Sequence, residues 1–245
     1  MTKFTIQLSS HIINVSATYR STSEYCSHFY TEASPDFSIT ITPEDIAFER
    51  TKSAREDALE GIPVRNFSDA YLETLAVQRK ITEELFAYDT LLFHGSVVAV
   101  DGVGYLFTAK SCTGKSTHTR LWREVFGDRA VMVNDDKPFL RITKDGVLAC
   151  GSPWNGKHGL GANITVPLKA ICILERGEEN RICQIPAKEA VFMLLQQSNR
   201  PMDPRKMPKY LELLDRLSEG VSFYRLQCNM EPEAAKIAYE MMSKP

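Results

Sequence analysis

The chain has 245 residues, with 29 Lys and Arg against 31 Asp and Glu, a net charge of -2 and 43% hydrophobic residues. That length suits one large domain, or one domain with a small appendage, and a near-neutral surface without a basic stripe argues against a general nucleic-acid binder. No apolar run reaches the roughly 18 residues of a membrane span and residues 1–20 lack the continuous apolar core of a signal peptide, so a cytoplasmic protein without membrane attachment is expected.

The first 65 residues read as a small β-rich region. Lys3–Leu8, His11–Val15 and Phe37–Thr42 alternate apolar and polar side chains with the period of a half-buried strand. The stretch from Thr51 to Arg65 shows little apolar periodicity and is expected to be the least ordered. A helix follows over about 68–88, with Ser68 or Asp69 as its cap and Leu72, Leu75, Ala76, Leu85 and Phe86 on its apolar side. Residues 66–245 are expected to form the second, catalytic domain.

The most informative stretch comes next. Ser96–Val100 and Tyr105–Thr108 read as strands joined through Asp101-Gly-Val-Gly104, a tight-turn signal. The second strand runs directly into Ala109-Lys-Ser-Cys-Thr-Gly-Lys-Ser-Thr117, which has the spacing and the Gly-Lys-Ser core of a phosphate-binding loop, with Ala109 in place of its first glycine. Such a loop aims backbone N–H groups at phosphate oxygens, its lysine reaches the β- and γ-phosphates, and its hydroxyl ligates Mg2+. Those roles fall to Ala109, Lys110, Ser111, Cys112, Thr113, Gly114, Lys115, Ser116 and Thr117, with Ser116 as the metal ligand. An amphipathic helix is predicted from Ser116 to Phe126, ending at Gly127-Asp128. Because the loop grows out of a hairpin, the sheet is expected to be mixed and largely antiparallel rather than doubly wound.

Ala130–Asn134 then reads as a buried strand that returns Asp135 and Asp136 to the phosphates. Paired carboxylates suit divided labour there, one holding a hydrated metal and the other accepting a proton from an attacking hydroxyl. A hairpin over 139–142 and 147–150 leads to Gly151-Ser-Pro-Trp-Asn-Gly-Lys-His158, read as an exposed loop in which Trp154 walls a pocket and Lys157 meets an acidic or phosphorylated group; a Pro-Trp turn packed on the sheet is the alternative. Strands at 169–174, 181–185 and 221–227 and helices at 187–197, 207–217 and 231–242 complete the chain as supporting structure. The six cysteines form no Cys-x-x-Cys pair and read as reduced, mostly core residues; Cys112 is a loop-filling residue or, alternatively, a redox sensor.

The run from Phe93-His-Gly through the hairpin and Gly-Lys-Ser116, followed by Val133-Asn-Asp-Asp136, resembles the core of HPr serine kinase/phosphorylase and, more distantly, of ATP-dependent phosphoenolpyruvate carboxykinase. The resemblance spans about residues 91–175. It implies an α/β fold whose mixed sheet carries the phosphate loop, ATP and Mg2+ as substrate and cofactor, Asp135 as general base and Asp136 as metal or phosphate-site partner, or the two exchanged, and His94 as an active-site histidine. Ala109, Lys110 and Thr117 depart from the family's loop. The Gly151–His158 stretch is more similar to short HPr-kinase-like proteins of peptide-modifying systems, some of which phosphorylate a serine of a precursor peptide. The expected activity is therefore transfer of the γ-phosphate to a hydroxyl, first a serine of a protein or peptide and second a small-molecule alcohol, with Lys115 stabilising the transferred group. HPr kinases form oligomers, so the resemblance also admits a homo-oligomer. A non-catalytic, nucleotide-responsive binding module is the alternative from a different class.

Overall fold

The computed structural model describes residues 1–110 and 113–244, and the chain divides into two compact units, Met1–Glu84 and Leu85–Pro245. The first unit holds strands β1 (Thr2–Leu8), β2 (His11–Ala17) and β3 (Phe37–Thr40) with helices α1 (Arg20–Tyr25), α2 (Pro43–Leu59) and α3 (Asp69–Leu85). β2 lies in the centre of a small mixed sheet, antiparallel to β1 and parallel to β3. Alternation along β1 buries Phe4, Ile6 and Leu8, as the strand period requires.

α2 occupies much of the stretch expected to be least ordered. Its start is strongly signalled: Pro43 takes the first turn, and the Thr42 backbone N–H donates to Asp45 Oδ2 at 3.0 Å. The apolar period is weak because charges do part of the packing. Glu49 and Asp57 are buried, and Arg79 of α3 donates to both Glu49 and Asp45. α3 is also anchored through a charge. The fully buried Glu73 carboxylate accepts from the backbone N–H groups of Thr18 (2.7 Å) and Tyr19 (2.9 Å) and from Thr22 Oγ1 (2.6 Å), three donors that offset the cost of burying it.

The second unit is a mixed α/β structure. In chain order it contains β4 (Thr90–Leu92), β5 (Ser96–Val100), β6 (Val103–Thr108), α4 (Lys115–Phe126), β7 (Ala130–Asn134), β8 (Phe139–Thr143), β9 (Gly146–Cys150), β10 (Thr165–Arg176), β11 (Arg181–Ile185), α5 (Ala187–Gln197), α6 (Met207–Gly220), β12 (Ser222–Cys228) and α7 (Glu233–Met242). The strand path is β4-β8-β9-β10-β6-β5-β7, with β12 branching from β10 and carrying β11. Among the described residues β6, β10 and β12 run parallel, and the other neighbours in this sheet are antiparallel. The twelve-residue β10 explains how one sheet serves two sets of partners. Its first residues, Thr165–Pro167, pair with β9, and from Ala170 onward the strand pairs with β12. A register irregularity against β6 between Leu168 and Ala170 marks the change, as expected of a bulge that bends a strand.

Apolar side chains cover both faces of this sheet. One cluster includes Phe93, Leu106, Leu140, Ile171, Leu213 and Phe223, with α5 and α6 contributing. The other places α4 and α7 over β6 and β10, where Trp122 packs against Tyr105, Phe107, Phe126 and Tyr239 with ring centroids 5.0–5.8 Å apart. No disulfide joins the described cysteines; Cys26, Cys150 and Cys172 are buried, whereas Cys183 is exposed, against the expectation for a core residue. No helix among the described residues is long and apolar enough to cross a membrane.

Candidate functional site

The site begins at the β5–β6 hairpin. Asp101 and Gly102 form its two-residue turn with φ of 51° and 80°, the left-handed pair that matches strand twist, so β5 and β6 are in register from Ser96↔Phe107 to Val100↔Val103. β6 therefore delivers the chain to the loop from a buried position. Ala109 is itself buried in the cluster under α4, which gives its methyl group a packing role where a phosphate loop usually has glycine. Beyond it, the Thr113 N–H (3.3 Å) and hydroxyl (2.8 Å) both donate to the Lys110 carbonyl. Ser111 and Cys112, both expected to contact phosphate, lie outside the described residues. Gly114 caps α4, whose first turn is Lys115, Ser116 and Thr117, one residue earlier than predicted. Backbone N–H groups at this end have no intrahelical acceptors and carry the positive end of the helix dipole, an arrangement that favours an anion.

The carboxylates arrive from β7, which pairs with β5 rather than with β6. Asn134 shapes the turn that follows. Fully buried, it accepts the N–H groups of Asp136 (2.9 Å) and Lys137 (2.6 Å) at Oδ1, while its Nδ2 lies 3.1 Å from both the Ser152 carbonyl and Ser152 Oγ, and 3.0 Å from Asn155 Oδ1. This amide ties the acidic turn to the 151–158 loop. Ser96 Oγ donates to the Asp135 carbonyl (2.8 Å), the Gly95 N–H to the Asp136 carbonyl (3.0 Å), and Thr108 Oγ1 to the His94 carbonyl (3.1 Å). The end of β7, the start of β5 and the end of β6 are thereby held along one edge.

The two carboxylates have opposite environments. Asp135 is 4% exposed; its Oδ1 accepts the Gly156 N–H at 2.6 Å, and its Oδ2 is buried with no hydrogen-bond partner. Burial pushes its carboxyl above the ordinary carboxylate range against the partial offset of backbone donors at Gly156 and Leu160, and the neighbouring Asp136 charge adds to the rise. Asp136 is about a third exposed and pairs with His94, Nε2 to Oδ1, at 3.2 Å. Burial alone would raise it, but the His94 hydrogen bond together with the charges of Lys137, His94 and Lys115 holds it below the ordinary range. The hydrogen bond to Asp136 favours the His94 imidazolium, yet burial and the positive charges of Lys137 and Lys115 prevail and hold its pKa low. Lys115 thus acts electrostatically on both members of the pair.

Trp154 follows the second of its two sequence readings, the turn packed on the sheet. It is 3% exposed and not a wall of an open loop, because it packs edge-on against Phe139 with centroids 6.3 Å apart. Lys157 and His158 are exposed. Sequence reasoning also missed Asn134, Ser152 and Gly156 as organising residues. The available signal was an amide directly before Asp-Asp at the end of a buried strand.

A cavity of about 510 Å3 adjoins the loop between α4 and the C-terminal ends of β10 and β12, lined in part by Gly114, Thr117, His118, Leu174, Arg176 and Met230. His118 is 2% exposed; Trp122 Nε1–H donates to its Nε2 at 3.0 Å, its Nδ1 has no hydrogen-bond partner, and burial pushes its pKa down to about 3. The C-terminal end of parallel strands is where open α/β sheets collect ligands.

Among known proteins, the solved Hpr(Ser) kinase/phosphatase from Coxiella burnetii is 12% identical, with a TM-score of 0.36 over 62% of this chain and 99% of that chain. No curated protein matches. The model of one family, described as SynChlorMet cassette protein ScmC, matches residues 64–229, a span that takes in the hairpin, the loop, the acidic turn and β10 to β12. Since that match covers more than half of the sequence, the chain belongs to the ScmC family of SynChlorMet cassette proteins.

Proposed function

We propose that this chain is an ATP-dependent kinase that transfers the γ-phosphate to a hydroxyl group, most readily a serine of a protein or peptide, in the cytoplasm. The observation that carries the reading is the Asp135 carboxylate. One of its oxygens is buried and unpartnered, its pKa is raised, and it lies one residue from the Asp136–His94 pair on which the loop lysine Lys115 acts. A raised carboxylate suits a general base better than a fully solvated one, because proton transfer is most effective when donor and acceptor affinities are close. The likeness of the His-Gly, hairpin, Gly-Lys-Ser and Asp-Asp sequence to HPr kinases supports the same assignment.

In the proposed reaction the acceptor oxygen attacks the γ-phosphorus and forms the new O–P bond, its proton passes to Asp135, and the bond from phosphorus to the β,γ-bridging oxygen breaks to release ADP. Lys115 and the backbone N–H groups at the start of α4 oppose the charge on the phosphates. Asp136 fits a hard divalent cation, since His94, Lys137 and Lys115 keep it ionised and a third of it remains exposed. Asp136 and Ser116 are the residues that would hold Mg2+, which would screen phosphate charge when bound. Lys157, exposed on the 151–158 loop, is available to an acidic acceptor segment.

The test is transfer of label from γ-labelled ATP into an extract of the producing cells, with protein separated from small molecules. Label in the protein or peptide fraction, reduced about 100-fold or more by Lys115→Ala, is the expected result. Label confined to small molecules assigns an alcohol substrate instead. Nucleotide binding without transfer to either fraction favours the non-catalytic binding module.

A further inference from the structure

The Asp135 carboxylate is covered. Its Oδ2 is buried with no hydrogen-bond partner, and Gly156 lies directly against the group: a Cβ on that glycine would sit 3.3 Å from Oδ2 and 3.5 Å from Oδ1. Buried polar atoms are nearly always paired, so an unpaired one calls for a reason. The Gly156 N–H donates to Oδ1 at 2.6 Å and the Leu160 backbone to the same carboxylate, so one short segment, residues 156–160, closes over it. Both ends of this segment are fixed. On the near side Asn155 Oδ1 accepts from Asn134 Nδ2 at 3.0 Å; on the far side Gly161 bridges to Asn134 and the Ala162 N–H donates to the Val133 carbonyl at 3.1 Å. The two ends meet, since a Cβ on Gly161 would overlap the Asn155 amide. Between these anchors the segment projects outward. Lys157, His158 and Gly159 are exposed, the Gly159 N–H turns back to the Gly156 carbonyl at 2.9 Å, and Leu160 packs half-buried against the apolar cluster under α4.

We infer that residues 156–160 form a lid over the proton-accepting carboxylate, which keeps water from it and moves aside when the acceptor segment docks. The inference rests on the kinase reading and adds to it a control over which hydroxyl reacts. With the carboxylate open, a water oxygen would attack the γ-phosphorus, its proton would pass to Asp135, and the bond to the β,γ-bridging oxygen would break to release ADP and inorganic phosphate. The lid holds this hydrolysis back. Its exposed tip, Lys157 and His158, leaves the acceptor a surface by which to engage it.

The experiment reads lid movement and ATP turnover separately. Gly159 has a φ of +61°, which favours glycine, and a Cβ there would meet nothing within 4 Å, so Gly159→Ala strains the closed lid without a clash. Leu160→Ala loosens the same lid by removing its apolar contact. In the full chain, amide hydrogen exchange is expected to be at least about 10-fold faster at Gly156 than at Gly151 and Ala162, and either variant should accelerate Gly156 roughly 5- to 10-fold while leaving Gly151 and Ala162 unchanged. Hydrolysis of ATP with Mg2+, in the absence of any acceptor, should rise by the same factor. Exchange at Gly156 as slow as at Gly151 and Ala162, and unmoved by both variants, overturns the lid. Faster exchange with hydrolysis unchanged, in a protein that still labels an acceptor in the cell extract, overturns its screening of water. If no form of the protein turns ATP over, the kinase reading fails and the screening role with it, whereas faster exchange at Gly156 still establishes the movement. The wild-type exchange comparison needs no substitution and decides whether the lid moves even if both variants fail to fold.

Discussion

Asp135→Asn is expected to abolish phosphoryl transfer while ATP still binds and the protein becomes more stable at neutral pH. The loss of a general base lowers the transfer rate by about 10²- to 10⁴-fold. Binding survives because Asp135 faces Gly156 and the acidic turn, whereas the phosphates are held by the loop and Lys115. The stability gain follows from the direction of its pKa shift. A carboxyl whose folded pKa lies above its unfolded value favours folding in acid, and that contribution is lost as pH rises through the folded pKa. Above that folded pKa the wild type keeps an ionised carboxylate buried with its Oδ2 unpartnered. An asparagine retains the acceptor for the Gly156 N–H and removes the charge. A gain on the order of 1 kcal/mol would raise the Tm by about 2–4 °C. The melting temperatures of the two proteins should converge at low pH and separate as pH rises past the raised Asp135 value; transfer by the wild type should climb over the same interval. A variant that melts lower than the wild type at neutral pH would show that Asp135 is a structural carboxylate. Asp136 has the opposite dependence. Its lowered pKa contributes stability above the ordinary aspartate value, and that contribution disappears as pH falls through the folded value.

The largest structural effect is expected from Gly151→Ala. A Cβ at this position would lie 1.8 Å from the Ala162 carbonyl oxygen and 3.0 Å from that of Val133, and both obstacles are backbone. The Gly151 N–H donates to the Ile164 carbonyl and the Ala162 N–H to that of Val133, so the strand end cannot move aside without breaking ladder contacts. A loss of about 3 kcal/mol or more is expected in denaturant unfolding, beyond the usual range for a single methyl group. Because Gly151 opens the loop that carries Ser152, Asn155 and Gly156 to Asn134 and Asp135, transfer should fail together with stability. Unchanged unfolding would mean that the two segments do not approach this closely.

The hairpin, the helix after Gly-Lys-Ser, the returning strand and α5 were legible in sequence because each rests on a local rule: a two-residue turn, a glycine cap, a short apolar run or a helical stripe. α2 was not, since two of its three buried side chains are Glu49 and Asp57, with Ile46 as the third, and charges carry no apolar period. Position within the sheet was also hidden. Nothing local tells β7 to pair with β5, or β10 to divide its length between β9 and β12; those choices are made by residues far away in the chain. At the site, the residue types were readable but their states were not. Trp154 suited a pocket wall and a packed turn equally, and only its contact with Phe139 decides between them. Asp135 and Asp136 are adjacent and chemically identical, and only the three-dimensional surroundings push one pKa up and the other down.

The neighbours of β6 have a kinetic consequence. On one side it pairs with β5 across a two-residue turn, and β5 in turn pairs with β7, from Val100↔Ala130 to Val97↔Asn134, 30 to 37 residues later. On the other side Leu106 faces Ile171, about 65 residues later, in a parallel ladder. Loop closure penalises the second pairing far more than the first. The unit from β5 to β7, which brings His94, Asp135 and Asp136 together, can therefore assemble while the chain beyond it is still emerging from the ribosome, whereas the strand that feeds the phosphate loop gains its second neighbour only after β10 has been made. In pulsed hydrogen exchange during refolding, amides of β5 and β7 would be protected ahead of those that join β6 to β10.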